Sequence, residues 1–238
     1  MSFKQFTLVA ILVSILSSQF LGCSGSDVTE NDPELLYKEA ETDIGNDRYS
    51  MALEKLRMCK NKFPYSSYAT KSMLRIADVL FLQEAFLEAA TAYETFKDLH
   101  PKHEQIDYAM YRIGESYYQD IPSTIARDMG SADKALGAFR EYVERFPQKE
   151  NHAKAEDQIM ELRKLLAQKE LYIGNYYLRR DFYMSAKSRY VKLLKLYPDT
   201  EPADQAREQL ARAEEQIAKT KVDQEKNANG SLLWKIAN

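Results

Sequence analysis

Cysteine and histidine are scarce in this chain of 238 residues, which contains two of the first and three of the second. Two cysteines allow at most one internal disulfide. His100 and His103 stand three residues apart, with no cysteine or carboxylate pair at the spacing of a metal site, and His152 stands alone. The sequence therefore gives little support to a metal centre.

Motifs that carry enzyme chemistry are also missing. The chain has no glycine-rich phosphate loop, no Gly-x-Ser-x-Gly elbow and no His-Glu-x-x-His. It has no excess of positive charge, since the formal net charge is −3, and so it offers no broad cationic surface for nucleic acid. Alternating Val/Ile/Thr runs, the signal of β-strands, do not occur beyond the first residues. These absences favour an all-α protein that is not an enzyme, needs no cofactor and does not bind nucleic acid.

A short pattern occurs four times along the chain: an alanine, a large apolar residue four positions later, and a proline twelve positions after the alanine. The small alanine lets two helices approach closely, the next residue fills the gap between them, and the proline ends the helix. This pattern is typical of the second helix of a tetratricopeptide repeat. The four instances are Ala52/Leu56/Pro64, Ala89/Tyr93/Pro101, Ala135/Phe139/Pro147 and Ala186/Tyr190/Pro198.

The first helix of each repeat is found by counting back from these alanines. Ala40, Ala77 and Gly174 lie twelve residues upstream, whereas Gly114 lies twenty-one residues before Ala135. The third repeat therefore carries an insertion of nine residues, within 119–133, that loops out between its helices. The sequence predicts an all-α tetratricopeptide-repeat solenoid of about five helix pairs. Helices are expected over 34–46, 49–62, 67–82, 86–99, 105–118, 132–145, 152–167, 169–180, 183–196 and 202–221.

The N-terminus has the features of a secretory signal. Lys4 precedes an apolar run over 6–16 that is too short to span a bilayer. The run leads into Phe20-Leu21-Gly22-Cys23, which resembles the lipobox at which bacterial signal peptidase II cuts before a cysteine. The alternative is an ordinary signal peptide followed by an incidental cysteine.

The lipobox resemblance implies cleavage after Gly22 and attachment of diacylglycerol and N-acyl lipid to Cys23. Ser24, at the position where Asp would retain a lipoprotein in the inner membrane, implies the outer membrane. Several acyl chains make stable anchoring possible where one would bind marginally. Acylation of Cys23 leaves Cys59 without a disulfide partner, and we expect Cys59 to be a buried, unreactive core thiol.

Four segments follow from these features. They are a signal peptide over 1–22, a lipidated polar tether over 23–32, the repeat solenoid over 33–221 and a flexible polar tail over 222–238. Trp234 lies in the tail with Leu232, Leu233 and Ile236. This apolar cluster either packs loosely at the end of the chain or docks on the last helix or on a partner.

A closer resemblance lies in the fourth repeat and in parts of the first three. Over about 33–215 the chain resembles the BamD (ComL-like) lipoproteins, and the fourth-repeat signature is the specific part. The matching residues there are 162–167, Glu170, Gly174, 176–177, Tyr183, Ala186, 189–190 and 197–200. Upstream, the matching residues are 63–64, Ser66, 68–69, His103, 106–108, Tyr111, Gly114 and the Arg127-Asp128 pair of the insertion.

The resemblance implies an outer-membrane lipoprotein of the β-barrel assembly machinery that is anchored by Cys23 and faces the periplasm. Its C-terminal repeats would bind the POTRA part of the barrel-forming BamA subunit, next to other assembly subunits. Its N-terminal repeats would receive the terminal targeting strand of unfolded outer-membrane proteins. The alternative is a periplasmic repeat adaptor of the Tol-Pal or peptidoglycan-coordination type. Such adaptors generally lack a lipobox and begin with a coiled coil, for which the ten or so residues after Cys23 leave no room.

Four residues are candidates for these contacts. Phe63, Tyr65 and Tyr68, at the junction of the first two repeats, are candidates for a groove that receives an aromatic residue of the client strand. Ordinary packing at a turn is the competing interpretation for each. Arg189 matches an arginine of the family and is a candidate to pair with a POTRA carboxylate, because its guanidinium suits bidentate pairing. A solvated charge on a helix face is the competing interpretation.

Overall fold

The structure is a computed structural model that describes the backbone of residues 31–237 and the side chains of residues 31–226. The described part of the chain contains nine helices and no strand. The fold class is therefore all-α, of the tetratricopeptide-repeat solenoid type, as the repeats predict. The helices are α1 (Pro33–Gly45), α2 (Tyr49–Lys62), α3 (Ser67–Leu82), α4 (Phe86–Leu99), α5 (Ile106–Gln119), α6 (Gly130–Arg145), α7 (His152–Leu178), α8 (Tyr183–Leu196) and α9 (Glu201–Ala237).

Several sequence predictions fall outside the described residues. The signal peptide over 1–22, the cleavage site at Gly22 and the lipidation site at Cys23 all do so. The side chain of Trp234 lies beyond the last described side chain. Helix α9 continues to Ala237, so the backbone of the predicted tail is helical nearly to its end. The flexibility of that tail stays a prediction.

The repeat pattern is borne out by burial. Each of the four alanines is 0% exposed, and so is each of the four large residues that follow one turn later. The residue before each proline ends its helix with φ between −125° and −135°. A proline forces its predecessor out of the helical region, so the four helices end at the same point of the repeat. These helix ends are Phe63, His100, Phe146 and Tyr197.

Two glycines allow the closest helix approaches in the third and fourth repeats. A Cβ atom built on Gly114 would lie 2.6 Å from the ring of Phe139, and one on Gly174 would lie 2.4 Å from the ring of Tyr190. Both rings are completely buried. Because neither ring has room to move, only glycine fits at these two positions.

The turns within the repeats are tight, except in the third repeat. Asp47, Glu84 and Asp181 occupy corresponding places in three turns, each with φ near +60°. Asp47 and Asp181 accept a hydrogen bond from the tyrosine two residues later, at 2.8 and 2.7 Å. In the third repeat the chain instead runs through residues 120–129 between α5 and α6, so the predicted insertion is confirmed.

Two predictions of helix boundaries are wrong: the last helix continues past residue 221 to Ala237, and the break predicted after residue 167 is absent. Separate helices are predicted over 152–167 and 169–180, but the chain forms a single helix, α7, of 27 residues. No proline interrupts this stretch, and a lone glycine costs a helix only about 1 kcal/mol. Gly174 is present for the approach of Tyr190 and does not end the helix.

The described residues divide into two compact units, between Val79 and Leu80. In the first unit α1 pairs with α2 over an apolar core that includes Leu36 and Leu56. The Asp43 carboxylate is buried there, 2.8 Å from Arg48 and 2.8 Å from Lys55. The hydrogen bond from Lys55 holds the pKa of Asp43 below its usual value.

Cys59 also lies in the core of the first unit. Its thiol is fully buried and donates a hydrogen bond to the carbonyl of Pro33 at 3.4 Å. Burial raises the pKa of this thiol, which disfavours the reactive thiolate. The prediction of a buried core thiol is therefore confirmed.

The second unit contains the helices from α4 onwards. Successive helices pack against each other from α4 to α9, and α9 also packs against α7. Aromatic rings fill the interfaces, and Tyr93, Phe96, Phe139, Tyr142 and Tyr190 are among the largest fully buried side chains. Beyond Ile217 the side chains of α9 are exposed as far as they are described.

The packing at Gly174 leads to the first testable prediction. Gly174→Ala is expected to lower the free energy of unfolding by about 1–3 kcal/mol, because the new methyl group overlaps an enclosed ring. The control is Gly137→Ala on helix α6, where no atom lies within 4 Å of the added Cβ. That change is expected to stabilise the protein by roughly 0.5–1 kcal/mol, since alanine is the better helix former. Denaturant unfolding measures both, and a shift of both variants in the same direction would contradict the repeat register.

Candidate partner-binding surfaces

The three candidate aromatic residues of the first unit differ in their surroundings. Phe63 is half-buried at the end of α2, and its carbonyl accepts a hydrogen bond from the backbone of Ser66 at 2.9 Å. The Tyr65 side chain is fully exposed in the turn before α3. Tyr68 is half-buried in the first turn of α3. Tyr65 is therefore the ring that a partner reaches without any rearrangement.

Tyr68 forms a small cluster with Tyr37 and Lys71 that is not predicted from the sequence. Its ring centroid lies 5.7 Å from that of Tyr37 on α1, and the Lys71 ammonium lies 5.1 Å from the centroid of the Tyr68 ring. Burial raises the pKa of Tyr68, and the charge of Glu34 adds to the rise. The contact of Lys71 with Tyr68 could have been predicted, because Lys71 follows Tyr68 by about one helical turn. No sequence signal indicates the contact of Tyr37 with Tyr68. Among the described ring pairs, none joins Tyr68 to Phe63 or Tyr65.

Arg189 in the second unit has a partner within the chain. Its Nη1 lies 3.3 Å from Oε2 of Glu170 on α7, and Nζ of Lys192 lies 2.6 Å from Oε1 of the same carboxylate. The Glu170 side chain is only 10% exposed, whereas those of Arg189 and Lys192 are 37% and 50% exposed. Arg189 is therefore a partly exposed charge on a helix face that also helps to neutralise a buried carboxylate.

The residue before Glu170 holds the insertion of the third repeat. Nζ of Lys169 donates to the backbone carbonyls of Ile125, Ala126 and Arg127 at 2.8, 3.4 and 2.7 Å. Asp120, at the start of the insertion, accepts a hydrogen bond from the hydroxyl of Ser131. The side chains of Arg127 and Asp128 remain exposed. One ammonium group thus fixes the path of the loop that presents the Arg127-Asp128 pair.

A cavity of about 280 Å³ lies where the insertion, α7 and α8 meet. Asp133 on α6 lines it, and burial raises the pKa of this carboxyl group while the nearby Lys192 opposes the rise. A second, more apolar groove of about 400 Å³ lies between the turn before α8 and helix α9. Phe182 and Met184 at its edge are 57% and 67% exposed, which leaves apolar surface available on the C-terminal repeats.

The described residues contain neither a cluster of metal ligands nor a helix that could span a membrane. Within residues 31–226, no three side chains of the His, Cys, Asp and Glu types come together as a metal site would require. His100 and His103 both pack on Phe96, and burial lowers the pKa of His100. None of the described helices is both long enough and apolar enough to span a membrane.

Comparison with protein families matches residues 29–229 to the model YfiO, described as "Outer membrane lipoprotein". The chain belongs to this family.

Individual relatives are about one quarter identical to this member of the YfiO family over the aligned residues. It is 27% identical to "Outer membrane protein assembly factor BamD" of Pasteurella multocida, over 85% of this chain and 80% of that protein. The protein of the same name in Vibrio cholerae is 27% identical, over 85% of this chain and 89% of its own. A tetratricopeptide repeat protein structure from Parabacteroides merdae has a TM-score of 0.40 and 15% identity, over 76% of this chain and 60% of that one.

The pairing of Arg189 with Glu170 gives a stability prediction for this YfiO-family chain. Arg189→Glu is expected to lower the free energy of unfolding by about 1–2 kcal/mol, because it places a second carboxylate beside the buried one. Arg212→Glu is the matched control, since among the described side chains Arg212 pairs with the exposed Glu208. That variant is expected to stay within about 0.5 kcal/mol of the wild type. Equal denaturant midpoints for Arg189→Glu and the wild type would show that the contact contributes nothing.

Proposed function

We propose that this chain is a non-enzymatic scaffold for the assembly and insertion of β-barrel proteins in the outer membrane, with no cofactor other than its lipid. The observation that carries the proposal is the family match over residues 29–229, together with relatives named as assembly factors that this chain covers along most of their length. A repeat solenoid suits such a role, because stacked helix pairs offer extended surface for protein partners.

The C-terminal repeats bind a POTRA domain of the BamA subunit in this proposal and bring the chain into the assembly machinery. Arg189 supports this role because its side chain is 37% exposed and lies beside a second cation, Lys192. The apolar groove next to Phe182 and Met184 supplies surface of the kind that protein partners cover.

The N-terminal repeats receive the terminal strand of unfolded outer-membrane proteins in this proposal. Tyr65 offers an exposed ring for a client aromatic side chain, and the half-buried Phe63 and Tyr68 lie within three residues of it along the chain. Aromatic side chains are rigid and bury a large area, so they are frequent hot spots of peptide recognition. Lys71, beside Tyr68, adds a cation to the same surface.

Anchoring at the outer membrane, facing the periplasm, completes the proposal. Cys23 carries the lipid, and the signal peptide is removed after Gly22. Two or more acyl chains are enough for stable attachment.

Replacement of Tyr65 tests the client surface. Tyr65→Ala is expected to leave the melting temperature unchanged, because the ring has no burial to lose. It should weaken binding of a synthetic amphipathic peptide ending in phenylalanine by roughly 30-fold, the loss typical of an aromatic hot spot of about 2 kcal/mol. Tyr172→Ala, which removes a tyrosine 42% exposed on α7, is the control and should bind normally. Unchanged peptide binding by Tyr65→Ala, measured by fluorescence anisotropy, would remove this residue from the site.

Replacement of Cys23 tests the anchor and the complex together. The wild-type chain should fractionate with the outer membrane and co-purify with BamA from detergent-solubilised envelopes, as identified by mass spectrometry. Cys23→Ala should shift the chain to the soluble periplasm, because the lipid is lost while the repeats stay intact. Absence of assembly subunits from the wild-type sample would contradict the proposed function. Membrane retention of Cys23→Ala in cells depleted of BamA would contradict the anchor alone.

A further inference from the structure

The two cations beside Glu170 are not equivalent. Lys192 approaches Oε1 at 2.6 Å, which is the short distance of a strong charge-assisted hydrogen bond. Arg189 approaches the other oxygen, Oε2, at 3.3 Å, beyond the usual range of such bonds. The stronger contact thus belongs to Lys192 and the weaker one to Arg189.

A buried carboxylate needs one close counter-ion, and removal of its only one is costly. The whole Glu170 residue is 7% exposed and its side chain 10%, so this requirement applies to it. Lys192 satisfies the requirement at an oxygen that Arg189 does not use. The Asp128 and Asp133 carboxyl groups line the same cavity as Glu170, and Lys192 is the cation that acts on Asp133. Arg189 can therefore leave Glu170 without leaving the carboxylate unpaired.

Arg189 also has unused hydrogen-bonding capacity. Of its guanidinium nitrogens, Nη1 alone is in contact with Glu170 in the described part of the chain. A guanidinium presents five N–H donors in a planar fork that matches a carboxylate with two parallel bonds. A partner carboxylate would thus gain a bidentate contact in place of the long single contact to Glu170.

We propose that Lys192 is a positioning residue that keeps Glu170 neutralised, so that Arg189 can be exchanged from Glu170 to a carboxylate on a protein partner. The inference rests on the proposed function, in which this face binds a POTRA domain, and it states the chemistry of the contact.

This exchange makes a specific prediction about Lys192. In Lys192→Met, Glu170 depends on Arg189 alone, so Arg189 is withheld from the partner although it is still present. Affinity for the partner falls by about tenfold, within the range usual for coupling between linked contacts. Adding Glu170→Gln in the same chain removes the buried charge, frees Arg189 and restores the affinity to within about threefold of the wild type. A purely structural role of Lys192 would not produce this recovery.

The probe for the test is the isolated POTRA region of BamA, titrated by calorimetry into the folded chain without its lipid. The variants are Lys192→Met, Glu170→Gln with Lys192→Met, Lys192→Arg and Arg189→Met. Lys192→Arg should bind like the wild type, and Arg189→Met should bind at least tenfold more weakly. Lys187→Met is the control, because Lys187 on the same helix pairs with the exposed Glu214. The exchange is overturned if the Glu170→Gln/Lys192→Met double variant binds as weakly as Lys192→Met.

A second measurement separates this inference from the proposed function. Melting temperatures of the unbound single and double variants give the coupling of Glu170 to each cation without any partner. The expected result is a loss of several degrees for Lys192→Met and a smaller loss for Arg189→Met, with the larger coupling between Glu170 and Lys192. A larger coupling to Arg189 would overturn the exchange, whether or not the POTRA probe binds. Failure of the wild type to bind the probe, with the expected coupling intact, would instead count against the proposed function.

Discussion

The ring of Tyr190 enclosed against Gly174 is the contact on which the C-terminal repeats depend. The ring occupies the space where any other residue would carry a Cβ, so α7 and α8 meet at one fixed separation. The hydroxyl of Tyr190 donates to the side chain of Asn175 at 2.8 Å, which also fixes the orientation of α8. Burial raises the pKa of this tyrosine to about 12, so the hydroxyl stays protonated as a donor. Phe139 against Gly114 repeats the same packing between α5 and α6.

The position of the charged site follows from that packing. Arg189 precedes Tyr190 in sequence and Lys192 follows two residues later, so the buried ring sets where both cations lie. They converge on Glu170, one helical turn before Gly174 on the facing helix. Lys169, the neighbour of Glu170, binds the insertion instead. Because α7 is a single uninterrupted helix, one rigid element supports both the insertion and the cations of α8.

The two proposed binding surfaces differ in the internal contacts that must break before a partner can bind. The ring of Tyr65 is already in solvent, so a client aromatic side chain can cover it with no internal contact broken. Arg189 must first leave Glu170, and this exchange reduces the net gain from any new contact. Such a requirement favours partners whose carboxylate satisfies the guanidinium better than Glu170 does, and it thereby adds selectivity.

The sequence by itself determined the fold class, the repeat register, the helix ends before the prolines and the place of the insertion. Each of these depends on local chemistry: alanine and glycine where helices approach, and proline where a helix ends. The sequence also marked Arg189, through its resemblance to the BamD family. The structure was needed to show that α7 is continuous. Only the tertiary structure decided that Lys169 binds the backbone of the insertion and that Arg189 and Lys192 both contact Glu170. These contacts join residues about 20 to 45 positions apart along the chain, and no periodicity or local propensity specifies which charged side chains will meet across such distances.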